Sequence, residues 1–299
     1  MLKSIYLFSF LGLIMVFSCE KNAQDVKYPN FQQKIVVGSF LSPADSISYV
    51  ILSSNNPVFG ELNLNVFKTI SNAKAFISDG SNEIQMDTFK LGFKFLHRNM
   101  PVLPGKNYSI RVEGENGLKA EASCTIPVKH NFNLKIDTIS NPFIYPDGYV
   151  TSEGFVKVKF TDVVGEANYY IVHVVDRVYE NNSVFDSTGK IIEYKKHTLE
   201  YELQFKNKLV NDIGKDGQEF ELNSDVTHGY WKYSYGDSSF LIFYLLHISK
   251  DFYLYQRAID NYQESQDPFT ESIPAYSNIK GGLGIFTGYT KDSVVLRIK

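Results

Sequence analysis

The chain is predicted to be mostly β, with an N-terminal β-sandwich followed by a larger β-rich domain that carries one helix near its C-terminal end. Three observations lead there. Apolar and polar residues alternate with period 2 in one segment after another. Turn-forming residues punctuate those segments at short spacing, and a period of 3.6 surfaces in a single stretch. Strands that recur without intervening helices pair mainly as antiparallel neighbours, and each sheet they build must bury one face against another layer.

The elements follow in order. Residues 20–33 are polar and read as a flexible tether. From Lys34 the alternation begins: Ile47, Tyr49 and Ile51 mark one strand, and Ala73, Ala75 and Ile77 another. Asp79-Gly80 is a turn dipeptide, with Ile84 and Met86 resuming beyond it. Tyr108, Ile110 and Val112 lead to Gly114-Glu115-Asn116-Gly117, and Leu118, Ala120, Ala122, Cys124 and Ile126 return. These strands define a sandwich over 34–128.

The second domain, 132–299, is also strand-rich. Val156, Val158 and Phe160 alternate with Lys157 and Lys159, and Leu199, Tyr201, Leu203 and Phe205 with Glu200, Glu202 and Gln204. Residues 168–175 form a denser run, expected to be buried on both faces. Residues 214–217 form a turn, and 240–248 read as a central strand. Phe252, Tyr255, Ile259 and Tyr262 then fall at helical spacing, which predicts a helix over 250–264 with Ser249 as N-cap and Asp251 in its first turn. Phe252, Tyr255 and Ile259 are expected to face the sheet. Gly281-Gly282-Leu283-Gly284 turns the chain into a last strand.

The N-terminus carries a separate signal. Met1-Leu2-Lys3 is a short basic start, and residues 5–17 are almost purely apolar, a run of signal-peptide length that falls short of the ~20 residues of a spanning helix. Val16-Phe17-Ser18-Cys19 resembles the bacterial lipobox, with an aliphatic residue at −3, a small residue at −1 and the cysteine whose sulfur accepts a diacylglycerol. Residues 1–18 are therefore expected to be a signal peptide, and Cys19 the lipidated first residue of a tether over 19–33. More than one acyl chain is needed for stable anchoring.

Composition removes several function classes. The whole chain has 30 basic and 33 acidic side chains, a formal charge of −3, and no Lys/Arg cluster marks a nucleic-acid surface. Cys124 is the other of 2 cysteines, so no intrachain disulfide forms once Cys19 is acylated. It alternates with Ala122 and Ile126 and reads as a small buried apolar residue rather than a reactive thiol.

No catalytic constellation stands out. The histidines His97, His130, His173, His197, His228 and His247 show no metal-ligand spacing, and HExxH and GxSxG are absent. His173 and His247 fall in apolar strands and read as core histidines. The stretch from Asn211 to Gly217 superficially resembles a calcium loop, but alignment on Asp212 puts Gly214 at the third ligand position and Asn223 where a bidentate Glu belongs. It reads as a solvated turn. No catalytic residue, metal or cofactor is expected. The aromatic cluster Tyr230, Trp231, Tyr233 and Tyr235 between Gly229 and Gly236 is a candidate ligand or partner contact, weighed against a strand whose aromatics fill a core.

The stretch Pro268, Phe269, Ser277, Asn278, Ile279, Gly281, Gly282, Leu283, Gly284, Ile285, Phe286, Gly288 and Tyr289 resembles the signature of the DUF4249 lipoproteins of Bacteroidota. Gly165-Glu166-Ala167-Asn168-Tyr169-Tyr170 and Asp216-Gly217-Gln218-Glu219-Phe220 match further landmarks, while Val37 stands where a Glu is common. The resemblance implies an outer-membrane lipoprotein with an immunoglobulin- or transthyretin-like N-terminal module. It also implies a non-enzymatic binding or accessory role beside a TonB-dependent receptor, in nutrient uptake or envelope assembly. An envelope hydrolase with an unrecognised site and a structural or adhesion lipoprotein are the alternatives.

Overall fold

The computed structural model describes residues 32–55, 70, 72–144, 146, 149–203, 205, 208–231, 238–264 and 276–297. The first part comprises β1 (Ile35–Leu41), β2 (Ile47–Ser54), β3 (Lys74–Ser78), β4 (Glu83–Gln85), β5 (Asp87–Phe89), β6 (Gly92–Leu96), β7 (Asn107–Glu113) and β8 (Lys119–Thr125). Then come β9 (Lys135–Ile144), β10 (Tyr149–Thr161), β11 (Tyr169–Phe185), β12 (Ile191–Leu203), β13 (Leu209–Asn211), β14 (Glu219–Trp231) and β15 (Ser238–Ile248). Helix α1 (Lys250–Glu264) and β16 (Leu283–Arg297) complete the described elements. The protein is mostly β, with one α-helix near its C-terminal end among the described residues, as predicted.

One long sheet, in the order β12-β11-β15-β16-β1-β2-β6-β5 with β13 beside β11, backs two smaller ones. The sheet β4-β3-β7-β8 closes the first sandwich over a core that includes Ile35, Leu52, Ile77, Ile110, Val112 and Ile126. The sheet β14-β10-β9 closes the second over Val158, Phe160, Tyr170, Phe220, Phe243 and Leu245. Period 2 explains both. In β8 every second residue is buried (Ala120, Ala122, Cys124), and β7 buries Tyr108, Ile110 and Val112.

The two cores fall on either side of residues 128–132, but β16 serves both. Phe286 is buried in the first core, while Val294 and Leu296 pack on the second. β16 joins the halves by pairing parallel with β1 and antiparallel with β15. The glycines of the signature segment make this possible. Gly284 has φ +102, and a Cβ there would lie 2.0 Å from the Val37 carbonyl oxygen on β1. Asn278 clamps the same strand, donating from Nδ2 to the Phe286 carbonyl at 2.8 Å and accepting from the Phe286 amide at 3.0 Å. Phe286 is 0 % exposed, so this end of the signature closes the core.

The helix starts where predicted: Ser249 Oγ accepts from the Phe252 amide at 3.2 Å, and Asp251 sits in the first turn. Phe252 is buried, but Tyr262 is 68 % exposed, so the sheet-facing stripe ends before it. Residues 168–175 depart in part from the expected two-sided burial. Tyr170, Val172 and Val174 point inward, while on the opposite face Tyr169, Ile171 and His173 are half-exposed, although Tyr169 meets Tyr253 of α1 at 4.8 Å and Val175 is buried. His173 is therefore an outer-face residue bound to Glu202 at 2.9 Å, not a core histidine.

Candidate functional site

Strand alternation that sends Ile35, Val37 and Leu41 into the core turns Val36, Gly38 and Phe40 outward, and β2 likewise presents Ile47, Tyr49 and Ile51. Phe40, Tyr49 and Ile51 are 38–47 % exposed, which is costly for neighbours on one sheet face. They border an open groove of about 470 Å³ whose lining also includes Val36, Gly38, Ser53, Gly284 and Tyr255 of α1. Gly38 opens the groove: a Cβ there would meet nothing within 4 Å. The Phe40 ring lies 4.9 Å from Phe252 and 6.5 Å from Tyr255, and Tyr49 meets Phe89 edge-on at 5.1 Å. These ring contacts brace two of the exposed aromatics.

One end of the groove is polar. Tyr289 donates to Asp45 Oδ2 at 3.3 Å, and burial, aided by the Asp45 carboxylate, pushes the phenol up to about 12. His97 Nε2 lies 2.8 Å from Ser48 Oγ, and burial holds its imidazole below the usual range, against the pull of Asp45. An apolar trough with one carboxylate at its end suits an apolar ligand or segment that carries a donor or a cation.

A second polar assembly lies in the C-terminal half, where the structure brings two of the family landmarks together. Asp162, Asp212 and Asp216 place carboxylate oxygens within 4.8 Å of one another. Asp162 accepts from Tyr170 Oη at 2.5 Å and from the Gly217 amide at 2.8 Å. Asp212 accepts from the Asn168 amide and Asp216 from the Gly165 amide, both at 2.8 Å. Asn168 donates to the Val163 and Glu166 carbonyls, which turns its Oδ1 toward His247 Nε2 at 2.9 Å. Burial lowers the His247 pKa.

The expected solvated turn is thus only half solvated. Ile213 and Asp216 are exposed, but Asp212 is buried because it caps the loop before β11. Sequence reading missed this cluster because Asp162 is 50 residues or more from its partners, and the one legible hint was the pair of landmark motifs. The carboxylates bind the chain's own amides and phenol, so the assembly holds the 163–168 and 212–217 loops against each other.

Of the residues singled out in the sequence, Cys19, Tyr233 and Tyr235 lie outside the described residues, as do residues 1–31 of the expected signal peptide and tether and Pro268 and Phe269 of the signature. Tyr230 and Trp231 end β14, their backbones paired with Val150 and Tyr149. Cys124 is buried, and burial raises its thiol pKa well above the usual range. Residues 21–294 match the family described as "Domain of unknown function (DUF4249)". No curated protein matches the chain.

Proposed function

The chain belongs to the DUF4249 family, and we propose that it is a non-enzymatic binding module, anchored to the bacterial outer membrane through Cys19, that docks a partner in the groove between β2 and α1. The partner in this reading is a TonB-dependent receptor, for which the protein acts as an accessory in uptake or envelope assembly. The carrying observation is the outward cluster of Phe40, Tyr49 and Ile51 around an open apolar groove. An apolar patch on one face, with polar groups elsewhere bound to the chain's own backbone, supports binding over hydrolysis.

Gly38 supplies the test. Its backbone is free of positive φ and its Cβ direction is open, so Gly38→Leu should fill the groove without disturbing the core. The variant should keep its melting temperature and lose co-purification with the receptor from detergent-solubilised envelopes. Undiminished co-purification would remove the groove from the interface. Metabolic labelling with a palmitate analogue checks the anchor, because Cys19→Ala should abolish incorporation.

A further inference from the structure

The long sheet ends in β5 on one side and β12 on the other. β11 pairs with one edge of β12 from Val174 to Phe185, and no strand pairs with the other edge among the described residues. A free edge is a row of amides and carbonyls that accepts a further strand unless something blunts it. The other free edges are blunted. β4, β5 and β13 have 3 residues each. β9 carries Pro142, β8 meets Lys280 through Glu121, and β14 bears Glu219, Glu221 and Asp225 with no lysine or arginine. β12 has 13 residues and neither proline nor glycine.

The charges of β12 are divided along its length. Lys195 and Lys196 stand in its first half and Glu200 and Glu202 in its second, with Glu193 near the turn as the exception. Such a strand complements a copy of itself that runs antiparallel. A twofold axis normal to the sheet keeps like faces together, so even-numbered residues oppose even-numbered ones. With the axis at Thr198, Lys196 opposes the partner's Glu200 on the outer face. On the other face Lys195 opposes the partner's Tyr201, and Glu193 the partner's Leu203. No like charges stand opposite one another in this register. The outer-face groups are already positioned by β11. Arg177 Nε donates to Glu200 Oε1 at 2.8 Å, and Lys196 Nζ lies 4.7 Å over the Tyr179 ring. A carboxylate accepts on both oxygens, so Glu200 can bridge Arg177 and the incoming ammonium.

We propose that the chain forms a homodimer by antiparallel pairing of β12 with its twofold copy, which continues the long sheet from one subunit into the other. Pairing from Glu193 to Leu203 adds about ten main-chain hydrogen bonds. Two symmetry-related Lys196–Glu200 pairs fix the register, and Tyr201, 54 % exposed in the single chain, gains the aliphatic stem of the partner's Lys195 as cover. The self-complementary charge pattern commits the edge to a second copy rather than to an unrelated strand. This interface goes beyond the receptor-docking reading, because it uses a sheet edge while the groove lies on a sheet face between β2 and α1.

The test uses the chain from Glu20 onward, which lacks Cys19 and holds every described residue. Sedimentation equilibrium should give a concentration-dependent mass that approaches twice that of the chain. Lys196→Glu and Glu200→Lys, each at unchanged melting temperature, should weaken the dimer at least about tenfold, because each sets like charges opposite at two symmetry-related places. Both reversals in one chain restore the complement and should restore dimerisation. Thr198→Cys should form an intersubunit disulfide under mild oxidation, since the axis sets its two copies side by side, and Glu193→Cys should not. Cys124 is buried and stays out of that reaction. Gly38→Leu should dimerise normally, which separates this interface from the groove. A monomer at every concentration, a dimer indifferent to both single reversals, a double reversal that stays monomeric, or equal cross-linking of Glu193→Cys and Thr198→Cys would each overturn the proposal.

Discussion

Each sandwich holds a large tyrosine that is 2 % exposed or less, and the two satisfy their hydroxyls differently. Tyr108, in the first, donates to the Pro101 carbonyl at 2.8 Å and accepts from the Leu103 amide at 2.9 Å. Both partners lie on the loop just before its own strand, a closure of the tyrosine-corner kind. Tyr170, in the second, donates to the buried Asp162 carboxylate at 2.5 Å, and Asp162 in turn holds the Gly217 amide, 55 residues away. One tyrosine pins a local loop with neutral bonds. The other organises loops distant in sequence around a charge. Burial comes first among the causes that raise both phenol pKa values, and at Tyr170 the Asp162 carboxylate adds to it. Equal burial thus conceals unequal architecture: the loop before β7 is pinned from its own local sequence, while the loops of the second sandwich depend on a polar knot.

The strand common to both sandwiches bears the largest expected effect. Phe286→Ala should cost about 3–5 kcal/mol, and because β16 belongs to both halves, calorimetry should show one transition moved down. Two separated transitions would break the view that β16 couples the sandwiches. Tyr170→Phe strands a buried carboxylate oxygen and should cost about 1.5–3 kcal/mol in denaturant titration. Tyr108→Phe loses neutral bonds and should cost about 0.5–1.5 kcal/mol. If the Tyr108 loss equals or exceeds the Tyr170 loss, the contrast between local closure and polar knot fails.

A pH titration sharpens the same contrast. Burial holds the His247 pKa below its ordinary 6.5, so as pH falls through that value the unfolded chain takes up a proton that the native state refuses. Stability is then full above about pH 6.5 and declines below it. His247→Gln, whose amide can still donate to Asn168, should flatten that decline. His97, also lowered by burial, should leave a residual slope. The smallest effect belongs to the outer face of the first sandwich, where Gly38→Leu should change stability by no more than about 0.5 kcal/mol.

The first sandwich was largely legible in the sequence. Its hairpins at Asp79-Gly80 and at residues 114–117 pair the strands that the alternation marks. The Ser249 cap, the helix over Lys250–Glu264 and the tight backbone approach at Gly284 were equally local signals. The candidate site was not legible in the same way. Tyr49 read as one of a strand's alternating residues and Tyr255 as a sheet-facing residue of the helix, and nothing local joined them to Phe40 until β16 inserts beside β1 and carries α1 over the outer face.

By itself, the sequence determined the mostly β class, the alternation within strands, the helix over Lys250–Glu264 and the family, because side-chain period, turn chemistry and caps act over a few neighbouring residues. Tertiary structure decided that β1 and β16, some 250 positions apart, pair in parallel to make one sheet of two sandwiches. It also decided that Asp162 meets Asp212 and Asp216, that His247 is buried while His173 is not, and that one apolar sheet face stays open. Period 2 divides a strand into two faces and labels neither as inside. Which face is covered depends on a second layer that arrives from far along the chain, and that choice is made by packing.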